Sequence, residues 1–419
     1  MYEIVDLGTI DGYTSGAEAI NDAGTVAGIL TPLDNKLPTQ GFIWSFFTGM
    51  QILASPGGNT EGRSINGQGQ IAGIVAGDKA ARWDSPGQFV VLDNSVFSYA
   101  HCINEEGSVV GGRGFPGPAM IPVMWASNGA RTDFAPDPDP HSGIYYEAHG
   151  INKYAQVVGE GPFLWSMADK IQHLGTQNDQ GDAKAINDSG DVAGNVNGGA
   201  AFWDGGVWRQ LQTPNGMISS ALALNNAGDR IVGFVQDQAG VQRAALWNNW
   251  SSPMTDLTSL VPLVRYQKPI PKPTPLGYRP EYYWQQDWIL HTATGINTKG
   301  QIVGYGEHLG QKTAYRLTLV PESSQTSLGA AALLVTQILF GVVGDSGGVV
   351  LGPQGPQPWP PWGPEFGAPA FTQDALLGLA VYRAASLIEN SAVRLPIQKA
   401  ALEGVARLIA SQVESLGRG

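Results

Sequence analysis

The sequence predicts an all-β fold: a seven-bladed β-propeller of four-stranded blades, followed by a small α-helical C-terminal tail. Three observations predict it. One phrase recurs seven times, a Trp-ending segment follows six of the copies, and an unpartnered strand lies at each end of the array. Four short strands recurring at a period near 40 residues are the signature of a propeller blade.

The phrase begins at Ile20-Asn21, Ile65-Asn66, Ile103-Asn104, Ile151-Asn152, Ile186-Asn187, Leu224-Asn225 and Ile296-Asn297. The third residue after the Asn is Gly in six copies, with Ala155 the exception, and every copy then runs through two apolar residues to another Gly. Asn bonds its own backbone two residues on and Gly supplies a positive φ, so Asn-x-x-Gly between apolar runs reads as a tight hairpin turn. A second apolar segment ends in Trp44, Trp83, Trp125, Trp165, Trp203 or Trp247, and a short fourth strand such as Met50–Leu53 follows. Each copy therefore supplies four strands.

The seventh copy ends at Ala314–Leu317 with no fourth strand, while Tyr2–Leu7 precedes the first copy with no hairpin of its own. Pairing the two closes the ring and removes the exposed edges an open array would leave.

These residues resemble the bacterial repeat family named after a His-Ala-Phe (HAF) tripeptide, on the Ile-Asn-x-x-Gly-x-Val-x-Gly phrase together with Asp6-Leu7-Gly8-Thr9. The resemblance covers residues 1 to about 321. It implies a propeller and an extracellular or cell-surface protein, with no established activity. No copy keeps the His of the tripeptide, which is replaced by segments such as Ala201-Phe202 and Ala314-Tyr315. No His chemistry is inherited from that motif.

Composition agrees with a turn-dense β protein: Gly 56, Pro 28 and Trp 12 in 419 residues, with 14% charged. A net charge of −12 with no Lys/Arg run argues against nucleic acid, whose phosphates require clustered cations. One cysteine, Cys102, excludes an intramolecular disulfide and the multi-Cys zinc motifs, and suits a packing role. The start reads as a strand, without a secretory signal.

After the propeller at 1–321, an apolar helix is expected at 322–343, a Gly/Pro-rich linker of extended character at 344–370, and a helical hairpin at 371–419. Leu328–Val343 is shorter than the ~20 apolar residues of a membrane span. The C-terminal helices are expected to bury their apolar stripe on the propeller or on Leu328–Val343, with a homo-oligomer contact as the alternative. Gly344–Gly348 matches a trypsin-like nucleophile loop in letters alone, since the double-barrel context that gives it meaning is missing.

Aligning the copies exposes the candidate site. The residues one and three before the repeat Ile or Leu are small in every copy, which lets the innermost strands crowd near an axis. The residue between them varies: Glu18, Arg63, His101, His149, Lys184, Leu222 and Thr294. Scaffold positions repeat and functional positions diverge, so this ring is the expected ligand site, with Glu18 and Arg63 beside each other.

The two longest entry loops, Ala135–His149 and Val264–Thr294, carry Tyr145, Tyr146, Tyr282, Tyr283 and Trp284, which are expected to roof the same mouth. The face built from Asn-x-x-Gly turns is expected to be featureless. Asp22, Glu105 and Asp188 sit in those turns, where the turn itself accounts for them without calcium. No metal or other cofactor is expected.

The reading that follows is an extracellular binding or scaffold propeller taking a small-molecule, carbohydrate or peptide ligand at the mouth, through Glu18, Arg63, His101, His149, Lys184, Thr294, Tyr282, Tyr283 and Trp284. The alternative is a lyase or hydrolase on a polyanionic or sugar substrate, with His101, His149, Tyr145 and Tyr146 catalytic. A third reading makes the chain an assembly component acting through its tail.

Overall fold

The computed structural model describes residues 2–94, 97–114, 120–134, 147–176, 178–267 and 282–319, and the backbone of 349–352 and 355–358. The chain divides into two units, Met1–Leu319 and Val320–Gly419.

The first unit is a propeller of seven four-stranded antiparallel sheets. Blade 1 consists of Tyr13–Ile20, Val26–Pro32, Gln40–Ser45 and Gly49–Ile52, and blades 2 to 6 repeat that order. Blade 7 takes Trp288–Ile296, Ile302–His308 and Gln311–Leu319 from the end of the array and Tyr2–Asp6 from its start. Tyr2 pairs with Leu319 and Asp6 with Tyr315, so the first strand closes the last blade. Between neighbouring blades lies the core, where Val26, Phe42, Trp83, Trp125 and Trp247 are buried. Indole N–H groups staple blades together: Trp83 Nε1 donates to Ala54 O at 2.8 Å and Trp247 Nε1 to Gln212 O at 3.0 Å.

The repeat Asn does two jobs. Within its turn, Asn21 Oδ1 accepts from the N–H of Ala23 and Thr25, fixing the hairpin. Its Nδ2 then donates to Asn66 O in the next blade at 2.9 Å. Asn66, Asn104 and Asn152 reach the Asn carbonyl of the following blade in the same way, and Asn297 reaches Asn21 to close the circle. Asn187 reaches Asn226 instead, and Asn225 turns its Nδ2 to Asp229 of its own turn. All seven are buried, so each bond also satisfies groups that water cannot reach. The turn Gly takes positive φ, 81° at Gly24 and 72° at Gly300, and Ala155 adopts the same left-handed conformation at 57°.

Every innermost strand carries a β-bulge at the same place. The pairing register slips between Ala17 and Ala19, and at the corresponding residues of blades 2 to 7. The second Gly of the repeat lies opposite. A Cβ there would sit 1.9 Å from Glu61 O at Gly73, 1.8 Å from Tyr99 O at Gly111 and 1.9 Å from Ser220 O at Gly233. The repeat keeps this Gly because the bulge presses a carbonyl against it.

In the second unit, Val349–Gly352 pairs with Gly355–Pro358 as a short antiparallel hairpin, where the sequence suggested an extended linker. The expected helices, and the nucleophile-like loop, lie outside the described residues.

Candidate functional site

Each bulge leaves one residue of the innermost strand unpaired, and those residues are Glu18, Arg63, His101, His149, Lys184, Leu222 and Thr294. A bulge breaks the period-2 alternation and re-aims a side chain, here toward the axis of the ring. All seven line two cavities that meet at this level. One of about 370 Å³ opens on the side from which the innermost strands enter, and one of about 540 Å³ opens through the Asn turns. The crowding predicted from small residues is present: a Cβ on Gly150 would lie 3.2 Å from Ala185 Cα of the neighbouring blade.

The Asn-turn face is therefore not featureless, against the expectation from sequence. The residue after each repeat Asn forms a collar around the larger cavity. Its carboxylates do structural work there: Glu105 accepts from Gly67 N–H, Asp188 from Lys153 N–H and Asp22 from Thr298 N–H, each in the turn of the preceding blade.

On the other side, three acids that sequence reasoning passed over organise the ring. Glu61 and Asp182 stand two residues before Arg63 and Lys184 and pair with them at 2.8 and 2.9 Å. Glu147, two before His149, bonds the neighbouring blade's His101 instead, at 2.8 Å. The signal was in the alignment, since the position two before a ring residue points to the same face of a strand. Arg63 thus turns to Glu61 and to His101, and the expected Glu18–Arg63 pair does not form.

The bonds fix protonation. Arg63 Nη1 can only donate, so His101 Nδ1 accepts at 2.9 Å, and its Nε2–H donates to Glu147. Burial holds the His101 imidazole below its usual range, partly opposed by Glu147, and the bond from His101 holds the Glu147 carboxyl down. Lys184 Nζ donates to His149 Nε2 at 3.3 Å, and burial reinforced by Lys184 puts His149 well below the usual histidine range. The two imidazoles stand edge to face, 5.2 Å between ring centres. Glu18 forms no hydrogen bond or ion pair among the described residues. Its carboxyl is pushed up to about 7, by burial first, with Arg63 opposing and Glu61 adding.

His101, Glu147 and His149 bring three potential ligand atoms within 4.8 Å of one another, compact enough for a metal ion. The charges around them do not suit one. Arg63 occupies Nδ1 of His101, so Nε2 must keep its proton, and Lys184 occupies Nε2 of His149. An ion would have to free a nitrogen of His101 from Arg63 or Glu147 and sit close to Lys184.

Thr294 spends its hydroxyl on Ala17 O at 2.7 Å, and Leu222 adds an apolar wall, so blades 6 and 7 line the channel without charge. Cys102 lines the larger cavity beside the ring and accepts a hydrogen bond from Ser64 Oγ. Tyr282, Tyr283 and Trp284 belong to a separate ribbon, Tyr282–Gln285 paired with Val264–Gln267, in which Tyr283 stacks on Tyr266 at 5.7 Å. All three are exposed, and neither cavity is lined by them, because local strand pairing and stacking hold the ribbon together. Tyr145 and Tyr146 lie outside the described residues.

No family model and no curated protein matches the chain, so the resemblance to the His-Ala-Phe repeats stands on the repeat phrase alone. Among solved structures, the fold is similar to that of a protein provisionally named a gluconolactonase, at 11% identity over 76% of this chain and 92% of the other, with a TM-score of 0.37. TolB from Acinetobacter baumannii is similar at 11% identity over 74% of this chain and 64% of its own, with a TM-score of 0.33. Likeness at this level carries no argument about activity. The propeller rests on its own sheet topology.

Proposed function

We propose that this is a ligand-binding propeller of the extracellular or cell-surface kind, related to the His-Ala-Phe repeats, whose axial channel takes a small carbohydrate. The observation that carries the reading is the row of seven bulges: they aim seven side chains of six types at the channel while the scaffold around them repeats. Cavities of about 540 and 370 Å³ fall in the ~300–1,000 Å³ range of small-molecule sites. The channel is also two-sided. Arg63, His149 and Lys184 present hydrogen-bonding groups on one arc, held in place by His101, and Leu222 faces them from the other, which suits a sugar ring with hydroxyls at its rim and C–H groups on its face.

A polyanionic substrate suits the site less well, because both ring cations are already held by carboxylates. A second reading, a hydrolase or lyase acting on the same sugar, draws on His149. Its Nε2 accepts from Lys184, while its Nδ1 has no partner among the described residues and faces ligand. The expected C-terminal helices are proposed as an oligomer contact, which light scattering on the full chain tests.

The functional test is saturation-transfer NMR of the full chain against neutral, amino and acidic oligosaccharides. We expect signals from wild type that vanish in His101→Ala/His149→Ala, whose melting temperature stays within a few degrees because ring pairs at a wet channel are worth roughly 0–1 kcal/mol each. Silence across the whole panel, or an unfolded double variant, would sink the reading.

A further inference from the structure

We propose that the channel is an amine site, in which Glu18 is the counter-ion for the ammonium group of an amino sugar. This rests on the carbohydrate reading above and names the class of sugar.

The other ionisable groups of the ring are committed. Arg63 serves Glu61 and His101, His101 uses both ring nitrogens, and Lys184 holds Asp182 and His149. Glu18 alone has no partner among the described residues, and it lines both cavities. Its neighbours cannot supply one: Thr294 points its hydroxyl at Ala17 O, the Tyr305 ring packs beside Gly16, and Arg63 is turned away to Glu61.

The surrounding charge has the same sense. Among the described residues, Glu61, Glu147, Glu160 and Asp182 stand with Arg63 and Lys184 on one side of the ring, and Asp22, Glu105 and Asp188 with Lys153 on the other. An unpaired carboxylate in such a channel takes either a proton or a cation. The carboxyl near 7 shows how closely the two alternatives balance.

A hard metal ion would need several more oxygen ligands converging on Glu18. An ammonium group needs one carboxylate and leaves the sugar hydroxyls to bond the opposite arc. An acidic sugar would meet cations already neutralised, and an N-acetylated one would bring no charge to Glu18.

Calorimetry tests this with the full chain at pH 7 in phosphate, comparing glucosamine oligomers with their N-acetylated and with neutral glucose counterparts. The amine form should bind roughly tenfold tighter than the other two, about 1.4 kcal/mol. Glu18→Gln should lose the amine preference while retaining weak binding of neutral sugar. Glu18→Asp, which keeps the charge, should keep the amine preference at lower affinity.

Equal affinity for amine and N-acetyl forms, or an amine preference that survives Glu18→Gln, would overturn the assignment and leave the carbohydrate site standing. No binding of any saccharide would remove both.

Discussion

The Asn turns and the bulge ring lie within a few residues of each other in every blade, yet they are built on opposite rules. At the turn one residue type recurs seven times, because each Asn closes its own hairpin and six of the seven also reach the next blade's backbone. At the bulge seven positions hold six residue types, because the backbone is already fixed by the small residues on either side and the Gly opposite. Uniformity marks where the fold is made, and variety marks where the fold leaves a side chain free. Stability and recognition should therefore separate cleanly by mutation.

The sharpest break would come at closure. Deleting residues 1–9 removes the fourth strand of blade 7 together with buried Tyr2 and Leu7, and uncovers the edge of Gln311–Leu319. We expect melting to fall by roughly 10 °C or more, or loss of cooperative folding, by calorimetry. An unchanged melting curve would break the scaffold half of the comparison.

Gly233→Ala comes next, at about 3 kcal/mol in denaturant unfolding, because its Cβ would stand 1.9 Å from Ser220 O and backbone must move. Asn104→Ala should cost about 2–3 kcal/mol, leaving Ser108 N–H without its acceptor and Asn152 O with the Ala155 N–H alone, and cutting the link between the two blades. Asn225→Ala should cost distinctly less, since Asn225 makes no bond to blade 7. Equal losses at the two Asn positions would show that the link between blades contributes nothing.

The smallest effect is one of pH. Glu18 is ionised near 4.5 in the unfolded chain and near 7 in the fold, so the folded state holds the extra proton. Stability must then fall as pH rises from 4.5 to 7, with the full penalty above 7. Glu18→Gln removes that penalty. It should match wild type at pH 4 and exceed it at pH 8 by on the order of 1–3 kcal/mol, and a gain at pH 4 instead would contradict the burial of Glu18.

Much of the scaffold was legible because its causes are local. Asn-x-x-Gly is a turn wherever it occurs, the six Trp residues keep a fixed place, and the two partial blades complete each other. Ring membership was legible too, from Ala17 and Ala19 and their equivalents. The bulges were not, since a one-residue slip in pairing leaves no trace in hydrophobic pattern, and the second Gly had no visible reason until a carbonyl was found against it. Pairing within the ring depends on distances across blades, which is why Arg63 was matched to Glu18 rather than to Glu61 and His101. The ribbon of Tyr282–Gln285 misled for another reason: loop length and aromatic content show that a loop is ordered, and they do not say where it points.

The division of labour itself can be measured in one set of melting curves: alanine at each of Asn21, Asn66, Asn104, Asn152 and Asn297, against alanine at each of Glu18, Arg63, His101, His149 and Lys184. Two separate groups are expected, the Asn variants each losing about 2–3 kcal/mol and the ring variants losing no more than about 1 kcal/mol. Ring variants that melt as low as the Asn variants would make the ring part of the scaffold and contradict the claim that it is free to bind.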